Sequence, residues 1–92
     1  MTMSLRGSGR LVEFVSSSEV RVKVLADLSK GPKTTTELAS IERKHLSHVS
    51  RALAELRAEG LVEPVWTSSR ERYYRATSRG LLLSVQFLQM LK

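Results

Sequence analysis

The stretch KHLSHVSRALAELRAEGLV, residues 44–62, decides how this chain is read. At about 100° per residue, a helix through it puts Leu46, Val49, Leu53 and Leu56 on one side, with Ala52 at the edge. Lys44, Ser47, His48, Arg51 and Ala54 point the other way, with Ser50 flanking them. A face that is only wet usually mixes charges. This one offers cations and hydroxyls, and no acid before Glu55. Gly60 stops the helix, and an extended run begins.

Upstream, Val20, Val24, Leu25 and Leu28 share a helical stripe. Ser16 and Glu19 have capping-box spacing, with Ser18 a competing N-cap. Gly31 and Pro32 end that helix. Thr34 and Glu37 form a second capping box opening a short helix over 35–41. Downstream, LVEPVW and ERYYRA are strand-like runs around the polar turn TSSR, and Pro64 leaves its strand one free side. TSRG then leads into a last helix over 81–92, capped by Thr77 or Ser78. At the other end, residues 1–10 read as a flexible basic tail. LVEFV (11–15) is either a short helix or an extended lead-in. Residues 11–92 therefore form a single α+β domain whose element order is that of a winged helix-turn-helix. It has a three-helix core, a two-stranded β-hairpin wing and a C-terminal helix.

The bulk properties favour an anionic partner. The 92 residues carry a formal net charge of +6 and a pI of about 10.3. That balance suits nucleic acid or a membrane surface. No cysteine is present, which removes disulfides and zinc–thiolate sites. No signal peptide is evident, and the apolar stretch Leu81–Leu91 is too short to span a bilayer. A cytoplasmic protein without a membrane partner is expected. There is no glycine-rich phosphate loop, paired-carboxylate cleft or cysteine nucleophile, so neither an enzyme nor a cofactor is expected. His45 and His48, spaced i and i+3, lack a clear third ligand, and no metal is expected.

Three fragments resemble winged-helix regulators of the ArsR-like and MarR-like families, prokaryotic in type, over residues 21–80. RVKVLADLSKGPKTTTELA is similar to R-x-x-I-L-x-x-L-x-x-G-P-x-x-x-x-E-L-A. HVSRALAELRAEGLV is similar to V-S-R-x-L-x-x-L-x-x-x-G-L-V. RYYRAT with SRG resembles the end of the wing and the Y-x-L-T-x-x-G that opens the last helix. The eleven-residue step from Leu38 to Val49 is also the family's. The chain departs at IERK, where Glu42, Arg43 and Lys44 stand in place of a turn glycine and an apolar residue.

The resemblance implies a sequence-specific, double-stranded-DNA-binding transcriptional regulator, a repressor acting as a homodimer. Lys44, Ser47, His48, Ser50 and Arg51 are then the recognition-helix residues for the major groove. Thr67, Ser68, Ser69, Arg70 and Arg72 form the wing contacts. Thr34, Thr35 and Thr36 sit where a helix N-terminus meets a phosphate. The last helix is apolar nearly all round, so Leu82, Val85, Leu88 and Met90 are the expected dimer seam, with Val22 and LVEFV as contributors. Trp66, Tyr73 and Tyr74 are expected to pack the hairpin onto the third helix, and Arg21 to form a surface salt bridge. The alternative is a winged-helix module that binds protein and not DNA.

Overall fold

Ser18, not Ser16, starts the first core helix. Its side chain accepts from the Arg21 amide at extended φ,ψ, while Ser16 closes the preceding helix. The computed structural model describes residues 2–67 and 70–90, with the side chains of residues 9–67 and 70–87. Helix α1 runs Thr2–Ser16, α2 Glu19–Leu28, α3 Thr35–Glu42, α4 Leu46–Ala58 and α5 Ser78–Met90. The strands are β1 Lys33–Thr34, β2 Val62–Val65 and β3 Tyr73–Ala76. The sheet is antiparallel in the order β1-β3-β2.

The β2–β3 hairpin is the expected wing, and β1 adds a third strand to its sheet. Lys33 and Thr34 pair with Tyr74 and Tyr73. Two residues carry no readable alternation, which is why β1 escapes sequence reading. Pro64 lies in β2, an edge strand, where its missing N–H breaks no inner ladder.

The N-terminal segment also differs from expectation. The structure places residues 2–10 in α1 and not in a tail. The reason lies in LVEFV, whose Leu11 and Val15 are buried in the core while Val12 and Phe14 pack against it. These side chains are one helical turn apart, and their burial anchors the helix. LVEFV therefore belongs to the domain core, and Val22, half-buried, packs against that core too. Burying one such Leu or Val contributes about 1.5–3 kcal/mol relative to leaving it exposed.

Val24, Leu25 and Leu28 from α2, Leu38 from α3 and Val49, Leu53 and Leu56 from α4 complete the three-helix core, closed by Leu61, Val62 and Leu83. Leu46 is the exception on the predicted stripe. It is 53% exposed, because it is the first residue of α4 and projects beyond the turn.

That turn works without glycine. Arg43 adopts φ 53 and ψ 45, the left-handed conformation that C-caps α3. A side chain in this region is strained by roughly 1–2 kcal/mol. The amides of Arg43 and Lys44 donate to Ser40 and Ala39 carbonyls, and these bonds hold the geometry.

Arg21 does more than the surface salt bridge expected of it. Its Nε donates to Glu55 Oε1 on α4 at 3.0 Å. Its Nη1 donates to the Phe14 carbonyl at 2.6 Å and to Ser17 Oγ at 2.8 Å, and the guanidinium lies 4.3 Å from the Phe14 ring centroid. One side chain, only 15% exposed, ties α1, α2 and α4 together. Hydrogen bonds to charged groups contribute about 1.5–3 kcal/mol. Arg21→Ala should therefore lower the melting temperature by roughly 10 °C or more, with Arg21→Lys recovering only part. A change within about 2 °C of wild type, in the range of a neutral surface substitution, would reduce these contacts to decoration.

Candidate nucleic-acid interface

Helix α4 is presented by packing. Val49, Leu53 and Leu56 are buried against α2 and α3, which leaves Ser47, His48, Ser50, Arg51 and Ala54 exposed on the far side. All of them lie in the first nine residues of α4, the part of a recognition helix that reaches base edges.

The distribution of ion pairs sharpens this face. Arg10 pairs with Glu59 at 3.0 Å, Arg21 with Glu55 at 3.0 Å, Lys23 with Glu19 at 3.0 Å and Arg75 with Glu63 at 2.7 Å. These acids are held by cations off the α4 face. Among the described residues, no acid or hydrogen-bond partner meets the guanidinium groups of Arg43, Arg51, Arg57 or Arg70. Exposed cations without acid partners attract a polyanion, and binding gains entropy as its counterions leave.

Not every expected residue joins them. Lys44 is half-buried and its ammonium turns toward α2, 3.8 Å from Glu19 Oε1. Thr34 is buried and its hydroxyl accepts the Glu37 amide at 3.1 Å, in a capping box closed by Glu37 Oε1 and the Thr34 amide. Thr35 is half-buried, and Thr36 alone of the three is exposed. His48 and His45 are both exposed, their rings 5.5 Å apart edge to face. Among the described residues, no group of three His, Cys, Asp or Glu side chains converges as metal ligands would.

At the wing, Thr67, Arg70 and Arg72 are exposed, while Ser68 and Ser69 lie outside the described residues. Trp66 overturns its expected packing role. It is 76% exposed, with the Arg72 guanidinium 5.3 Å from its ring centroid. Tyr74 instead does the packing, half-buried against the core. Glu71 takes the Tyr73 hydroxyl hydrogen bond, and its charge raises the phenol above its ordinary pKa.

Sequence reading also missed Arg57. It lines an open groove of about 410 Å³ between α4 and β3, together with Ser50, Leu53, Ala54, Ala58 and Tyr74. The available signal was the pair of small residues Ala54 and Ala58, one helical turn apart, flanking an arginine.

On the last helix, Leu83 and Ser84 are buried and Phe87 packs on the core. Leu82 is 70% exposed, and Leu81 and Val85 are exposed beside it. The side chains of Leu88 and Met90 lie outside the described residues. No helix among the described residues is long and apolar enough to cross a membrane.

A helix-turn-helix with its second helix outward and a basic three-stranded wing beside it defines a winged-helix domain. The family model described as bacterial regulatory protein, arsR family, matches residues 18–64, and the chain belongs to that family. Solved winged-helix regulators share its fold. MepR, a transcription regulator of the Staphylococcus aureus multidrug efflux pump MepA, superposes with a TM-score of 0.77 at 17% identity, over 92% of this chain and 65% of that one. The adhesin competence repressor AdcR from Streptococcus pyogenes gives 0.74 at 14%, over 98% and 73%. Lactococcus lactis ZitR in complex with DNA gives 0.71 at 15%, over 78% and 51%. In that and several other ZitR structures, the chain spans about half of the relative's length. These identities speak for the fold alone. No curated protein matches in sequence.

Proposed function

We propose that this protein is a cytoplasmic homodimer that binds a specific double-stranded DNA site and represses transcription by occupying it. The observation that carries the reading is the outward face of α4, where Ser47, His48, Ser50 and Arg51 are exposed and the arginine has no partner among the described residues. Arginine suits the two acceptors of guanine, and serine and histidine hydrogen-bond several base edges. Arg70 on the wing and Arg57 in the adjoining groove suit phosphates, which give register and affinity but no sequence choice. ZitR, a structural neighbour, has been captured with DNA, and AdcR is named a repressor. The exposed Leu82 and Val85 on α5 support a dimer, because an apolar strip of that kind is covered most simply by a second copy.

Selection of bound fragments from random duplex DNA tests the proposal. It should yield one inverted-repeat motif, with half-sites about one helical turn (34–36 Å) or a multiple apart. Recovery of unrelated sequences, or tight binding to an acidic protein with no affinity for duplex at moderate salt, would overturn it. The second result would favour the protein-interaction module.

A further inference from the structure

Among the described residues, Trp66 is the most exposed large apolar side chain, at 76%. Strand alternation fixes its neighbours. Val62 pairs with Ala76 and Pro64 with Tyr74, so these four side chains share one face of the β2–β3 hairpin. Val62 is buried, Ala76 and Tyr74 pack against the core, and Tyr74 walls the groove along α4. The next pair out on that face is Trp66 and Arg72, whose guanidinium lies 5.3 Å from the indole centroid. Both stand past the strand ends and both are exposed.

The same alternation sorts the charges. Glu63 and Arg75 sit opposite each other on the other face and pair at 2.7 Å. Tyr73 belongs to that other face too, and Glu71 accepts its hydroxyl at 3.4 Å. The acids of the hairpin therefore gather on the face away from Trp66. The face that carries Trp66 offers cations, with Arg72 against the ring and Arg57 in the groove that Tyr74 walls.

An uncovered indole among arginines suits a polyanion that also has apolar parts. A DNA strand is one, because phosphates alternate with deoxyriboses whose C–H faces are apolar. A second copy docking through the same face would instead bring like charges together. Arginine can lie flat on an aromatic ring and still direct its N–H edge outward. We propose that Trp66 and Arg72 form a backbone clamp for one strand of duplex DNA, in which Arg72 donates to a phosphate and the indole packs on the neighbouring deoxyribose. This inference rests on the duplex binding proposed above but not on sequence reading by α4. Both contacts are to the backbone, so the clamp adds affinity and no base choice.

The chain has one tryptophan, so the indole emission of the full chain reports Trp66 alone. Adding random duplex at low salt should move the emission to shorter wavelength as the ring leaves water, and the selected duplex should do the same. Duplex binding with unmoved emission would overturn the clamp and leave the proposed function standing. A shift that appears on raising the protein concentration without DNA would seat a second copy on the ring and equally overturn it.

Trp66→Ala should weaken both duplexes by about 10-fold at unchanged salt slope, with Trp66→Phe recovering most of the loss. Its melting temperature should stay at the wild-type value, because the ring is exposed. Arg72→Ala should flatten the salt dependence by about one unit of slope. Wild-type affinity in Trp66→Ala would overturn the clamp. Absence of binding to any duplex would sink the proposed function and the clamp together. Random-duplex binding with the shift, but with no selected motif, would sink sequence reading by α4 and support the clamp.

Discussion

Gly80→Ala should cost the domain about 3 kcal/mol or more and lower the melting temperature by roughly 10–20 °C. A Cβ built on Gly80 lands on the Leu61 carbonyl oxygen, well inside any nonbonded separation, and meets Leu25 Cδ1 at 3.3 Å. The obstacle is backbone that cannot step aside. Leu61 O accepts the Thr77 amide at 3.0 Å, and Thr77 Oγ1 donates to Gly60 O at 2.7 Å. Thr77 also caps α5 by accepting the Gly80 amide at 3.1 Å. The added methyl therefore pushes against the cap and against the junction of α4 and β2 at once. Alanine's better helix propensity offsets less than about 1 kcal/mol of this. Thermal melting by circular dichroism checks the result, and a variant as stable as wild type would mean that α5 does not lie this close to Leu61.

The second large effect concerns assembly. Leu82→Glu should leave the fold intact, because the side chain is 70% exposed and surface substitutions usually lie within about 0.5 kcal/mol. In a seam between two copies, the same carboxylate would be desolvated without a partner, which is strongly unfavourable. Light scattering after size exclusion should move from twice the chain mass to once, at unchanged melting temperature. Operator affinity should drop by about 100-fold or more, since two linked half-site contacts bind far more tightly than one. A variant that stays dimeric would place the seam off this strip.

Most of the fold is legible in the residues because local and tertiary preferences agree. The α4 stripe, the Thr34–Glu37 capping box and the edge position of Pro64 are each dictated by nearest-neighbour physics, and each stands in the structure. The misreadings fall where a side chain's surroundings come from distant sequence. Leu46 fits the helical stripe, yet it lies past the end of the packed surface. Trp66 has the bulk of a packing residue, but it follows the last residue of β2 and stays largely exposed. The polar, basic start of the chain reads as a tail until LVEFV is seen seated in the core. The turn shows a different limit. Without glycine, only coordinates reveal that Arg43 takes the left-handed place.

The candidate interface was legible in outline and less so residue by residue. Periodicity alone separates Ser47, His48 and Arg51 from the core of α4. It cannot show that Lys44 bends toward Glu19, that Thr34 is consumed by its cap, or that Arg57 borders a groove beneath the wing. Those placements depend on pairings between elements.

The central claim is that the outward face of α4 reads sequence and the wing holds the backbone. Anisotropy titrations of Arg51→Ala and Arg70→Ala, on the selected and on random duplex at several salt concentrations, test it most directly. A bidentate arginine–guanine contact discriminates by roughly 1–3 kcal/mol. Arg51→Ala should therefore shrink the specific-to-random affinity ratio by about 5-fold to 150-fold. Arg70→Ala should weaken both duplexes alike and flatten the salt dependence by about one unit of slope per lost contact. If Arg51→Ala left the ratio intact, α4 would not be the reader, and the account of this face would be wrong.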